Sequence, residues 1–230
     1  MTTFWKNFRQ WLDGVEPLDT EDAEILSNHH RRAAIKVLSN QEDEHITLTD
    51  LSHEIAELEH GSNYSRTQRK SIYSSIHGAH LESLNKYQLI DYSTDPCLNL
   101  RATPELLELE QYIEEQPAEE SLFHEFDQED SGFTANKGFR ALSNHRSRFT
   151  IDHIDENGTS TLREMYTELA AEENNKRVEE LDFKVKNRCY VGLKQTHLPL
   201  LEEIDVVELN KNEDTIYRGE NLGTLSKYIP

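Results

Sequence analysis

The stretch Leu26-Ser27-Asn28-His29 occurs a second time as Leu142-Ser143-Asn144-His145, and this duplication decides the fold. Three further pairs of similar segments follow in the same order: residues 48–56 with 162–170, 73–84 with 190–201, and 90–91 with 207–208. Chance could supply one such match but not four in register. The chain therefore contains one module twice, and the small drift in offset is typical of loop insertions.

The composition allows two small folded domains in an unusually acidic chain. The 230 residues have room for two domains of about 100 residues each. Acids outnumber bases 44 to 24, giving a net charge of -20 that is spread along the chain. A disordered acidic protein, an acidic mimic of nucleic acid and adaptation to molar salt would all explain this charge. Apolar periodicity argues against disorder, and scattered acids with few lysines favour adaptation to salt, which screens carboxylate repulsion.

Several classes of protein are not indicated. The two cysteines, Cys97 and Cys189, lie far apart without CxxC neighbours, so we expect neither a disulfide framework nor a zinc site, and no other metal or cofactor. The sequence has no long apolar run and no signal-peptide pattern, so we expect a soluble cytoplasmic protein that binds no membrane. No nucleophile with a base at telling spacing, no Gly-rich phosphate loop and no HExxH motif suggests an enzyme.

Each copy is predicted to contain three helices and a hairpin. In the first copy we expect one helix over Glu21–Asn40, a second starting near Thr49 and capped by Thr47 or Thr49, and a third over Ser65–Lys86. The third helix would bury Tyr73, Ile76, His80 and Leu84. The predicted strands are residues 89–92 and 98–101, then 206–209 and 215–218, and the closing helices are residues 104–115 and 220–228.

This order predicts a mainly α fold with small β-hairpin wings (α+β), arranged as two tandem winged helix-turn-helix domains. The expected boundaries are residues 1–20 for an N-terminal amphipathic helix, 21–115 for the first domain, 116–137 for an acidic linker and 138–230 for the second domain. The aromatic stripe of the N-terminal helix is expected to pack on a domain or a dimer mate, in preference to a membrane surface.

The third predicted helices lack acidic residues. Residues 62–81 and 183–201 contain no Asp or Glu, although the whole chain is strongly acidic. Phosphate is a ligand that would penalise carboxylates on such a surface. A solvated basic face paired with nearby acids is the alternative. The predicted DNA-binding residues are Arg66, Arg69, Lys70, Ser74, His77, Lys184, Asn187, Arg188 and Lys194.

Bases outside the third helices are predicted to meet DNA less directly. Two more acid-free stretches cover the first helices, and Lys211 lies in a wing. The predicted phosphate contacts are Arg31, Arg32, Arg146, Arg148 and Lys211. Internal salt bridges are an equally good interpretation of the four arginines. For His80 and His197, at equivalent positions of the two copies, a hydrogen-bonded core histidine is favoured over a metal or pH-sensing role.

These residues resemble a winged-helix family widespread in haloarchaea, whose members are mostly uncharacterised regulators of transcription. The resemblance covers about 180 residues. It rests on the LSNxxRR frame (Leu26–Arg32), a basic third helix, and the HLxxL run that starts at His80 and at His197. The first copy departs from the pattern at Ala79 and Glu82, and the second at Ser147. The resemblance implies the fold and DNA binding, and it leaves the target gene open.

The predicted function is therefore regulation of transcription in a halophilic archaeon, its virus or a plasmid. The partner would be double-stranded DNA, with the third helices in the major groove of the duplex and the protein acting as a homodimer. The alternative is a winged-helix scaffold that binds proteins without contacting DNA. A mixed arrangement, with one copy on DNA and the other dimerising, is also open, and its departures make the first copy the weaker DNA binder.

Overall fold

The computed structural model describes residues 18–41, 45–94, 97–115 and 135–229. The predicted N-terminal helix and most of the predicted linker lie outside these ranges. The chain divides into an N-terminal unit, residues 25–116, and a C-terminal unit formed by residues 117–230 with residues 1–24. No helix in the described ranges is long and apolar enough to cross a membrane.

The N-terminal unit contains helices and a small sheet. The helices are α1 (Thr20–Leu26), whose first five residues belong to the other unit, α2 (His29–Ser39), α3 (Leu48–His60), α4 (Arg66–Ser75), α5 (Leu81–Lys86) and α6 (Pro104–Glu115). A π-helical turn, Ile76–His80, joins α4 to α5, so the predicted third helix is continuous. The strands are β1 (Ile46–Thr47), β2 (Ile90–Ser93) and β3 (Asn99–Ala102).

The C-terminal unit repeats this order. Its helices are α7 (Ala135–Leu142), α8 (His145–Asn157), α9 (Leu162–Asn174), α10 (Phe183–Gly192), α11 (Leu198–Glu203) and α12 (Leu222–Ser226). A π-helical turn, Leu193–His197, again joins α10 to α11, and a short 3-10 turn, Val178–Glu180, lies between α9 and α10. The strands are β4 (Thr159–Thr161), β5 (Val207–Asn210) and β6 (Thr215–Arg218).

Each unit has a three-stranded antiparallel sheet, so the prediction of a mainly α fold with small β hairpins is confirmed. The strand orders are β1-β3-β2 and β4-β6-β5. Ile46 and Tyr92 both pair with Leu100, and Ser160 and Leu209 both pair with Ile216. The first strand of each sheet was not predicted, because two or three residues carry no recognisable period and their partner lies more than 50 residues away.

The prediction of a single helix over Glu21–Asn40 is wrong, since the helix is interrupted between α1 and α2. Asn28 has an extended backbone, and its side-chain oxygen accepts hydrogen bonds from the amides of His30 and Arg31. Asn144 caps α8 in the same way through the amide of Arg146. An asparagine that satisfies the first amides of a helix starts a new helix instead of continuing the previous one. The last predicted helix is also shorter than expected, ending at Ser226.

The third helix of each unit buries a stripe with a spacing of four residues. Ile72, Ile76, His80 and Leu84 are buried, whereas Tyr73, predicted to lie in this stripe, is 37% exposed. In a regular α-helix a spacing of four drifts by about 40° per step, so the stripe would wind off the core. The wider π turn offsets this drift. The C-terminal unit has the same solution, in which Cys189, Leu193 and Leu201 are buried.

The two thiols should therefore differ in reactivity. Cys97 is exposed, whereas Cys189 is buried, and burial together with the nearby Glu173 carboxylate raises the pKa of its thiol to about 11. Because the thiolate is the reactive form, we expect iodoacetamide to modify Cys97 alone in the native protein and both cysteines in guanidinium chloride. Peptide mass spectrometry would locate the modification. Rapid labelling of native Cys189 would contradict the buried stripe.

Candidate nucleic-acid interface

The two third helices begin with well-defined caps. The Ser65 side chain accepts a hydrogen bond from the amide of Gln68, whose own side chain accepts one from the amide of Ser65. In the C-terminal unit, the Asp182 carboxylate accepts from the amide of Val185 at 2.9 Å. Such caps hold the first turn of each helix in place and so orient the side chains that follow. The first turn of the third helix is thus held by capping hydrogen bonds in both units.

The predicted DNA-binding residues lie on the outer faces of these helices. Arg69 is half-buried and the other eight are exposed. In the N-terminal unit the exposed set is Arg66, Lys70, Ser74 and His77, and in the C-terminal unit it is Lys184, Asn187, Arg188 and Lys194. The structure therefore brings together, within each unit, the residues that the sequence grouped by helix face.

These cations are not neutralised by acids within the described part of the chain. Among the described residues, no carboxylate lies within 4.0 Å of the charged groups of Arg66, Arg69, Lys70, Lys184 or Arg188. Lys194 donates to the Tyr190 hydroxyl at 2.8 Å, which raises the pKa of the lysine. The alternative of a basic face paired with nearby acids is thus not what the described residues form. Charges left open on a protein of net charge -20 are available to a polyanion.

A groove runs beside the third helix in each unit, and the two grooves differ in charge. The N-terminal groove, about 200 Å³, is lined by Thr49, Ser52, Arg66, Arg69, Lys70 and Tyr73, with no carboxylate. The C-terminal groove, about 1000 Å³, is lined by Arg163, Lys186 and Asn187 but also by Glu164, Glu168, Glu213 and Asp214. Phe183, at the start of α10, is 79% exposed beside it. The N-terminal groove is therefore the better match for a phosphate backbone.

The four arginines predicted to contact phosphate have partners inside their own units. Arg32 donates to the Leu26 carbonyl at 2.5 Å, and its equivalent Arg148, which is buried, donates to the Leu142 carbonyl and to the Leu18 carbonyl. The bonds to Leu26 and Leu142 satisfy the carbonyl of the last residue of the preceding helix. Arg31 donates to the Ile25 carbonyl at 2.7 Å. We therefore leave all four arginines, including Arg146, outside the candidate surface.

Arg146 belongs to a set of contacting residues whose identities differ between the two units at equivalent positions. It makes two hydrogen bonds to the Glu173 carboxylate, at 2.6 and 3.0 Å. The pKa of Arg146 is raised by this bond, and the pKa of Glu173 is lowered by it, although burial alone would raise the latter. The equivalent pair in the N-terminal unit is His30 and Glu59, with 3.6 Å between Nε2 and Oε2. The sequence alone did not reveal this exchange, because the contact of residues 30 and 146 with the carboxylate is visible only in the packed helices.

The third helix takes part in the same exchange. The His30 Nδ1 atom lies 2.8 Å from the Ser75 hydroxyl, and the equivalent of Ser75 is Gly192. A Cβ atom at Gly192 would overlap the guanidinium of Arg146. A side chain at residue 192 would therefore have to displace Arg146, so glycine is favoured where the longer arginine replaces histidine.

His80 and His197 lie on the inner side of the third helices, as a core interpretation predicts. The His197 Nδ1 atom is 3.2 Å from the Ser147 hydroxyl, whereas the Nδ1 atom of His80 is buried with no hydrogen-bond partner among the described residues. Burial and the charge of Arg31 lower the pKa of His80 to about 4, so it is neutral at physiological pH. The predicted hydrogen-bonded core histidine describes His197, and His80 departs from it because Arg31 replaces Ser147.

The wings add little positive charge. Lys211 is exposed in the turn between β5 and β6, where it was predicted to contact phosphate. Arg218 is held by Asp155 at 3.0 Å. The third helices therefore carry more exposed cations than the wings do.

These features define a class of protein: a tandem pair of helical units, each with a small sheet and a basic third helix. A family model described as a domain of unknown function (DUF7344) matches residues 23–97 and again residues 139–217. The two segments together span more than half of the chain, so the chain belongs to this family and the duplication is confirmed. Comparison of this chain with the curated proteins and with the solved structures found no match.

Alanine substitutions at two glycines should have opposite effects. In Gly192→Ala the new methyl group displaces Arg146 from Glu173, and loss of this charged pair outweighs the gain in helix propensity, so we expect the free energy of unfolding to fall by about 0.5 to 1.5 kcal/mol. In Gly78→Ala the methyl group meets open space, and we expect a gain of up to about 1 kcal/mol from helix propensity. Denaturant unfolding monitored by circular dichroism measures both.

The cause can be isolated in an Arg146→Met background. There the overlap is removed, so Gly192→Ala should no longer be destabilising. An unchanged penalty in that background would show that the guanidinium is not what excludes a side chain at residue 192.

Proposed function

We propose that this protein is a sequence-specific DNA-binding regulator of transcription built from two winged helix-turn-helix units. The observation that carries the proposal is the set of exposed, unneutralised cations on the third helices of a chain with net charge -20. The order helix, strand, helix, helix and hairpin, with the first strand beside the last, supports the winged-helix interpretation. In that fold the third helix enters the major groove of DNA.

The residues suggest how each unit would divide its contacts. Arg66 and Arg69 in the N-terminal unit, and Arg188 in the C-terminal unit, can donate two hydrogen bonds to a guanine edge. Asn187 can do so with adenine. Exposed Phe183, at the first position of α10, matches a thymine methyl group. Because the side chains differ, the two units would recognise different half-sites.

The acidic remainder of the protein has a role in this proposal. Molar salt weakens the nonspecific attraction between lysine or arginine and phosphate, because the release of counterions contributes less. Base contacts must then supply more of the affinity. A negative exterior also opposes coating of DNA at random positions. Adaptation to molar salt, action as a homodimer and a cytoplasmic location remain parts of the proposal.

Charge reversal on the third helices should weaken specific binding. We expect Arg69→Glu and Arg188→Glu each to weaken binding to selected genomic fragments by roughly tenfold or more, since one base or phosphate contact contributes about 1 to 3 kcal/mol. Electrophoretic or fluorescence titration of the full chain in about 1 to 3 M KCl would measure this. The matched control is Arg140→Glu, an exposed arginine on α7, which should change affinity less than twofold.

Equal retention of DNA by wild type and both third-helix variants would contradict the proposal. If only Arg69→Glu loses affinity, DNA binding belongs to the N-terminal unit. That result would favour the second candidate function for the C-terminal unit, a protein-binding role. The acid-lined groove beside α10 and the exposed Phe183 ring are the observations that favour it.

A further inference from the structure

Three side chains with metal-binding chemistry converge in the N-terminal unit. His29 and His30 are the first two residues of α2, and Glu59 is the penultimate residue of α3. One ligand atom from each lies within 4.8 Å of those of the other two. The helix break at Asn28 creates this arrangement, because it places both imidazoles at the start of a helix that packs against α3.

The His30 ring is oriented as a metal ligand would be. Its Nδ1 atom contacts the Ser75 hydroxyl at 2.8 Å, and its Nε2 atom faces Glu59 Oε2 at 3.6 Å. When the protonated Nδ1 donates a hydrogen bond to the serine hydroxyl, Nε2 carries the lone pair. Histidines that bind metals almost always use one ring nitrogen for the ion and hold the other by a hydrogen bond.

The Glu59 carboxylate is only partly satisfied by its neighbours among the described residues. Its side chain is only 19% exposed, and its Oε1 atom is buried without a hydrogen-bond partner among the described residues. Burial would raise the pKa of this carboxyl, but His30, His29 and His60 together outweigh burial and lower it, so Glu59 is ionised. A buried carboxylate oxygen without a partner costs free energy unless a cation or a donor approaches it.

The C-terminal unit shows which partner the equivalent carboxylate has. There Arg146 stands at the place of His30 and gives Glu173 a permanent positive charge through two hydrogen bonds. In the N-terminal unit His30 takes this place, and its Nε2 atom lies 3.6 Å from Glu59 Oε2. The acid is retained in both units, and only the source of positive charge differs.

We propose that His29, His30 and Glu59 bind a divalent transition-metal cation, with Zn²⁺ the best match to the ligands. Two imidazole nitrogens and one carboxylate oxygen form a recognised zinc ligand set, and a water completes the tetrahedron. Tetrahedral bonds of about 2.0 to 2.1 Å place neighbouring ligand atoms about 3.4 Å apart, so the side chains must close by up to about 1.4 Å. His29 is exposed and can rotate to do so.

The surroundings of His29 favour the form that binds metal. Burial, His30 and Arg32 lower the pKa of His29, although Glu59 raises it, and a neutral imidazole is the form that binds metal. Arg31 and Arg32 keep their positive charge near this site, and hydrogen bonds to the carbonyls of Ile25 and Leu26 hold their guanidinium groups. Through Ser75 the ion would also connect α2 and α3 to the third helix. The proposal does not depend on DNA binding.

Calorimetric titration of the chelator-treated full chain with ZnCl₂ tests it. We expect one equivalent of Zn²⁺ per chain, and at least a tenfold loss of affinity in His29→Ala, His30→Ala and Glu59→Gln. The matched control is His145→Ala, which changes the equivalent of His29 in the unit that has Arg146, and it should keep the wild-type affinity. Circular dichroism checks that each variant is folded. Should His30→Ala fail to fold, exposed His29 and isosteric Glu59→Gln still decide.

The proposal would be overturned by the absence of saturable Zn²⁺ binding, or by unchanged affinity in both His29→Ala and Glu59→Gln. It would be overturned equally if His145→Ala weakened binding as much as His29→Ala. Because metal binding is measured without DNA, its failure is separate from a failure of the proposed regulatory function.

Discussion

Each unit depends on the way its third helix packs against the core. Ile72, Ile76 and His80 point inward with a spacing of four residues, and the π turn is what keeps them aligned. The same constraint sends Arg66 and Lys70 outward. The C-terminal unit repeats it, with its own π turn at the equivalent position. Packing therefore decides which side chains a ligand can reach, and π-helical turns are frequent at functional sites.

Electrostatics decides what these outward residues can do. Carboxylates are spread over the rest of the sequence, yet none occurs in residues 62–81 or 183–201. Among the described residues the main cations of these helices also lack acidic partners, whereas Arg146 and Arg218 have them. Open positive charge on a negative protein concentrates attraction for a polyanion at two places. In the proposed function, the difference in groove charge favours the N-terminal unit as the stronger DNA binder, although its departures from the family pattern favour the reverse.

Regular periodicity and identity between copies could be predicted from the sequence, and geometry that depends on single side chains could not. The repeat, the hairpins and the continuous third helix follow from period and turn residues. Tyr73 was placed in the buried stripe because a regular α-helix favours it over Ile72, and only the π turn reverses that choice. The arginines of α2 and α8 resembled phosphate ligands because their basic charge is visible in the sequence, while the backbone carbonyls that bind them are not. The exchange of His30 and Ser75 for Arg146 and Gly192 became visible only when the helices were packed together.

Photochemical cross-linking of the full chain to genomic fragments that contain 5-bromouracil, in molar KCl, tests the central claim most directly. It reports which residues touch bases without altering the protein. The account predicts cross-links in residues 66–77 and 183–194, with those of the N-terminal unit the stronger. A stable complex whose cross-links all fall outside the third helices, or no complex with any genomic fragment, would contradict it.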